Sequence, residues 1–164
     1  MLTDAQLQAF RTALFAENDP DLVGYRTNGQ ATMIAQWYRG ESSPQFIVWR
    51  TSVTQDEIMQ NGFDWTRVDN LANGAARVWE WMFNNEARSI DPSKVNVRAG
   101  IEAVWKGTAA DLAVRAAVYA HCKRPANRLE RLFATGTGSD ASPGMMVVQG
   151  DLSETDVTRA LAEV

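Results

Sequence analysis

The stretch VDNLANGAARVWEWMFNNEA, residues 68–87, decides how the chain is read. A helix turns about 100° per residue, so residues three and four apart share a side. Val68, Leu71, Ala72, Ala75, Trp79, Met82 and Phe83 fall together and form a core stripe. The opposite side carries Asn70, Asn73, Arg77 and Asn84, with Trp81 among them. A large aromatic on a polar side is wet in a lone monomer and is therefore informative. Either a loop or the 46–49 segment covers Trp81, or another subunit does.

Working outward, helix starts are marked on both sides. Thr3-x-x-Gln6, Thr27-x-x-Gln30 and Thr54-x-x-Glu57 fit the capping box, in which a hydroxyl satisfies a free backbone N–H and the later side chain reaches back. Thr108-x-x-Asp111 is a weaker relative, and Asp91-Pro92 combines a good N-cap with proline at the first helical position. The signals predict helices near 4–17, 28–39, 55–60, 68–87, 93–106, 109–123 and 126–133, with a last one near 154–162 after Ser153. The 109–123 segment is apolar nearly all round, which predicts a central helix packed on several sides.

Only two runs are strand-like. Phe46, Ile47, Val48 and Trp49 follow the helix-breaking Ser42-Ser43-Pro44, and Met145, Met146, Val147 and Val148 follow a Gly/Ser/Thr-rich loop. The expected fold class is mostly α: a compact helical bundle with a short extended arm or hairpin and a C-terminal strand-bearing tail. The expected organisation is a helical body over 1–134, with an arm at 42–53. A flexible loop, short strand and C-terminal helix would follow over 135–164.

Composition narrows the function classes. With 164 residues the chain suits one domain, and its 45% hydrophobic content is that of an ordinary globular protein. A net charge of −4 argues against a chain whose main task is gripping nucleic acid, because that affinity comes from Lys and Arg neutralising phosphates. The single cysteine, Cys122, excludes an intrachain disulfide, and with His121 as the only histidine no Cys-based zinc site is expected. No signal peptide and no membrane span are visible, so the reading is soluble and intracellular.

Candidate chemistry is sparse. His121 and Cys122 are adjacent, so on a helix they point about 100° apart and make a poor base–nucleophile pair. Glu80, Glu86 and Asp91 read as solvated or ion-paired groups. Gly136-Thr137-Gly138 lacks the Gly-Lys-Ser/Thr ending of a phosphate loop, and its simplest meaning is flexibility. Residues 55–80 could pass for a helix-turn-helix, but the second helix offers only Arg67 and Arg77 beside Asp69 and Glu80. No catalytic residue, metal or cofactor is expected. The Met145–Val148 run needs a sheet edge, either the 46–49 arm or another chain.

Three stretches also carry a resemblance: RVDNLANGAARVWEWMFNNE at 67–86, VRAGIEAVW at 97–105 and AHCKRPANRLERLFATGTGSDASPG at 120–144. In segment order and texture, over about residues 1–164, the chain resembles small proteins from the virion-structure modules of tailed bacteriophages. The resemblance implies a head–tail adaptor, also called a connector or head-completion protein. Such proteins are mostly helical and form rings, commonly of twelve copies, under the portal. Arms or C-terminal tails extend onto the portal and the next tail component. No binding residue carries over from it.

The expectation is therefore a non-enzymatic virion protein of the neck, made in the bacterial host cytoplasm. It would form a homo-oligomeric ring contacting the portal and the next tail or neck protein. Genomic DNA would pass through without sequence-specific binding, and no membrane is involved. The candidate partner-binding residues are Trp81, Phe46, Ile47, Val48, Trp49, Met145, Met146, Val147 and Val148. The rivals are another completion protein, such as a tail terminator or decoration protein, a small DNA-binding regulator, and an enzyme with an unfamiliar site.

Overall fold

The computed structural model describes residues 1–60 and 63–162. Helices α1 (Asp4–Ala16), α2 (Pro20–Thr27) and α3 (Ala31–Arg39) come first, then β1 (Ile47–Trp49) and β2 (Val53–Thr54). Helices α4 (Gln55–Gln60), α5 (Thr66–Asp69) and α6 (Asn73–Met82) lead to β3 (Ser89–Ile90). After α7 (Val95–Val104), α8 (Ala109–His121) and β4 (Lys123–Pro125), the chain ends on α9 (Arg128–Phe133) and α10 (Glu154–Ala162). The fold is mostly α, as the sequence indicates.

The starts follow local side-chain chemistry. Thr3 and Gln6 close a reciprocal capping box, as do Thr108 and Asp111. Thr54 and Glu57 exchange the same pair of bonds ahead of α4, and Ser153 caps α10 through the Asp156 N–H. Thr27 does not cap: it ends α2, a helix that lies between the expected 4–17 and 28–39 segments and was not expected. Asp19 accepts from the Asp21 and Leu22 N–H groups with Pro20 at the first position of α2, while α3 starts from Gln30 without a side-chain cap. Asp91 does not cap α7 either. Its carboxylate holds the N–H and hydroxyl of Ser93 in a turn, and the helix starts later, at Val95. The 68–87 segment is likewise shorter than expected, with α5 and α6 separate and Phe83 already past the helix end.

Contacts divide the chain into two units, and the division does not fall at 134/135. Unit 1 is Met1–Ile47 with Pro125–Val164, and unit 2 is Val48–Arg124. Each has its own core.

In unit 1, Leu7, Phe10 and Leu14 of α1 pack with Leu22, Ile34, Tyr38, Leu129, Leu152, Val157 and Ala160. The expected tail is thus structural: α10 packs on α1 and α3. Buried Asp156 accepts from the Leu2 N–H at 3.1 Å, tying the two ends of the sequence together. Burying a Leu or Val side chain stabilises by about 1.5–3 kcal/mol, enough to hold so short a helix in place.

In unit 2 the core is aromatic. Trp79, Trp105, Phe63 and Phe83 meet with ring centroids 5.0–6.0 Å apart. The indole N–H groups of Trp79 and Trp105 find no acceptor among the described residues. Gly100 lets α7 approach α6, since a Cβ there would lie 3.3 Å from the Met82 sulfur. Helix α8 buries one stripe only, Asp111, Val114 and Val118, continued by Cys122. Leu112, Ala116 and Ala120 face solvent, so the expectation of a central helix is corrected. Alanine-rich sequence reads as apolar on every side, whatever side is packed.

Strand pairing also departs from expectation. β1 pairs with β4, while β2 pairs antiparallel with β3, Val53 opposite Ile90 and Thr54 opposite Ser89. The 42–53 arm is therefore not a hairpin: its two strands lie in different sheets. Residues 145–148 form no strand among the described residues. Only Met145 makes a bridge, to Thr135.

Candidate interaction surfaces

The nine expected partner residues meet different fates. In unit 1 the glycine-rich loop closes on itself and on the arm. Thr135 and Met145 exchange backbone bonds of 3.0 and 2.9 Å. The Ile47 N–H donates to the Gly138 carbonyl at 2.7 Å, and the Gly144 N–H donates to the Ile47 carbonyl at 2.8 Å. Phe46 lies against the loop so closely that a Cβ on either Gly138 or Gly144 would overlap its ring. Gly138 also has φ +65°, where L side chains are strained. These glycines allow close packing, not tethering. Phe46, Ile47, Met145 and Met146 are half-buried, Val148 packs on the unit 1 core, and Val147 stays 62% exposed.

In unit 2, Val48 is fully buried and so is a core residue. Trp49 lies edge-on to Tyr119 at 5.5 Å and beneath the Arg98 guanidinium at 5.0 Å. Trp81 stands apart from both. It is 67% exposed, flanked on α6 by Val78 and by Arg77, whose guanidinium lies 5.6 Å from the ring centroid. The cover considered for Trp81 from the sequence is absent at this exposure. Trp65, 55% exposed just before α5, and Val95 in the first turn of α7 are exposed apolar residues outside the expected set. Trp65 precedes the periodic 68–87 stretch, and Val95 falls within the expected 93–106 helix, whose sides were not assigned.

The groups with chemical potential are engaged structurally. Burial pushes the Cys122 thiol up to about 12, and the carbonyls of His121 and Cys122 accept from the Arg50 guanidinium and N–H. Arg67, a candidate nucleic-acid contact, donates to Asp111 at 2.5 Å. That bond, with two from Thr108, holds the Asp111 carboxyl down to about 2. The Thr54 N–H and Arg50 likewise hold Glu57 down to about 2. Among the described residues no three His, Cys, Asp or Glu side chains gather to hold a metal. No described helix is long and apolar enough to cross a membrane.

No family model, curated protein or solved structure matches the chain.

The arrangement that remains for interaction is a rigid one. Trp81 and Val78 are three apart on a ten-residue helix whose opposite side carries Trp79 into the core. An aromatic presented this way brings large area at small entropic cost, since its helix is already fixed.

Proposed function

We propose that this chain is a structural subunit of a tailed-bacteriophage virion, a head–tail adaptor whose copies form a ring between portal and tail. The observation that carries the reading is Trp81, held out on the solvent side of α6 beside Val78. Ring closure needs heterologous contacts, in which one surface of each copy meets a different surface of the next. An exposed aromatic anchor on a fixed helix suits one half of such a contact. The two runs first considered as arms belong to the fold of the single chain, so the proposed contacts run through helix surfaces.

The test is assembly. The purified chain is mixed with the portal protein of the same phage and followed by sedimentation velocity. A ring-sized species that forms on the portal, and that Trp81→Ala abolishes, supports the proposal. A chain that stays monomeric and ignores portal and tail components overturns it.

A further inference from the structure

Unit 1 holds a polar hollow that the assembly role does not use. It is open to solvent and has a volume of about 560 Å³, within the range of small-molecule sites. One part of its lining is cationic. Arg128 and Arg131 stand three apart on α9 and so emerge on one side. Arg128 lies over the Trp37 ring at 4.1 Å and donates to the Trp37 carbonyl at 2.6 Å. Gly40 permits this, because a Cβ there would come 2.5 Å from Arg128 Nη1. Arg131 donates to the Pro44 carbonyl at 2.8 Å. Among the described residues neither guanidinium has a carboxylate partner.

Another part is anionic. Glu17 and Asp19 come from the connection between α1 and α2. Each has one oxygen on a backbone N–H, Glu17 on Asn18 and Asp19 on the first turn of α2, which leaves the other oxygen to accept. Tyr38 completes the lining. It is only 4% exposed, its ring packs edge-on to Phe10 and Trp37, and its hydroxyl makes no hydrogen bond among the described residues. Burial, then the Glu17 charge, pushes the phenol up to about 12 against the opposing pull of Arg26 and Arg128. The hydroxyl therefore remains a neutral donor within reach of both fields.

The charges of the four side chains that line the hollow cancel. A simple anion drawn to the arginines meets repulsion from the carboxylates, and a simple cation meets the reverse. A dipolar molecule satisfies both. We propose that the hollow binds a zwitterion of the amino-acid class, a free amino acid or a short peptide with both ends charged. Its carboxylate lies on Arg128 and Arg131 with the Tyr38 hydroxyl donating, and its ammonium lies at Glu17 and Asp19. This site is independent of the ring contact through Trp81.

The test is an NMR titration of the ¹⁵N-labelled full chain at low salt. The probes are alanine, trialanine, N-acetyl-trialanine, trialanine amide and inorganic phosphate. Saturable shifts around Tyr38 and Arg128 are expected with a free-ended probe, and the tighter of alanine and trialanine identifies the source. Capping either end weakens binding about tenfold or more, the value of one charge-assisted hydrogen bond. Tyr38→Phe and Arg131→Gln each weaken it several-fold at unchanged melting temperature, and Arg131→Gln leaves the core intact if Tyr38→Phe does not. No shifts with either free-ended probe, equal binding of the capped forms, phosphate binding as tightly, or full binding by Arg131→Gln would each overturn the assignment.

Discussion

Alanine scanning of the glycine loop separates two costs that the structure assigns to different positions. Gly136 has φ +96° but open surroundings, with its nearest neighbour 3.4 Å from a hypothetical Cβ. Alanine there costs only backbone strain, about 1–2 kcal/mol. Gly144 is the converse: no positive φ, but a Cβ that would overlap the Phe46 ring and lie 2.9 Å from the Thr135 carbonyl oxygen. Overpacking of that kind costs about 1–3 kcal/mol. Gly138 carries both, φ +65° and overlap with the same ring, so its substitution is expected to cost about 2–5 kcal/mol. Replacing Phe46 by alanine removes the obstacle. In that background Gly138→Ala falls back to about 1–2 kcal/mol, a coupling energy of roughly 1–3 kcal/mol between the two positions. Urea unfolding supplies the free energies, and amide exchange of α1 and α3 confirms that they belong to unit 1. The ring is not held by the glycines if Gly138→Ala costs no more than Gly136→Ala, or if the coupling is below about 0.5 kcal/mol.

Four further outcomes are expected. Trp81→Ala shifts stability by less than about 0.5 kcal/mol because the side chain is exposed, so any loss of assembly in that variant is a contact effect, readable by calorimetry beside sedimentation. Truncation after Asp151 removes Leu152, Val157 and Ala160 from the unit 1 core and costs about 4–6 kcal/mol, seen as lost amide protection in α1 and α3 while α6 and α8 keep theirs. Asp111, held at about 2 in the folded chain, contributes stability that is present above the unfolded carboxyl value and lost as pH falls through about 2. Arg67→Gln removes the largest cause of that depression, so its acid-unfolding midpoint by circular dichroism moves to higher pH, and an unchanged midpoint contradicts the pairing. Cys122 resists iodoacetamide at neutral pH until the chain unfolds, and native-state labelling at the rate of a free thiol refutes its burial.

What could be read from the sequence was local. Thr3, Thr54 and Thr108 announce their helices because cap and partner lie three residues apart, so the interaction needs nothing distant. The sides of α6 were legible for the same reason, and Trp81 falls where its period places it. The two Asp-Pro pairs mark the limit. Asp19-Pro20 starts a helix and Asp91-Pro92 makes a turn, although the chemistry at hand is the same. Tertiary surroundings chose between them. Phe46 and the glycine loop lie about ninety residues apart, and no local pattern shows that loop glycines exist to admit a ring. The hollow was invisible because its charges come from α9 and from the α1–α2 connection, about 110 residues apart, and no local pattern brings them together.

The return of the chain to its starting unit also sets an order of manufacture. A ribosome delivers α1, α2 and α3 first, but their shared core lacks Leu129, Leu152, Val157 and Ala160 until the last segment emerges. The aromatic cluster of Val48–Arg124 is complete well before that moment. Domains mature as units during synthesis, so the inserted part is the first able to settle while the surrounding part waits for Leu129 to Ala160 to emerge. Phe10, Leu14 and Ile34 of the early helices thus stay without their later core partners for the longest interval.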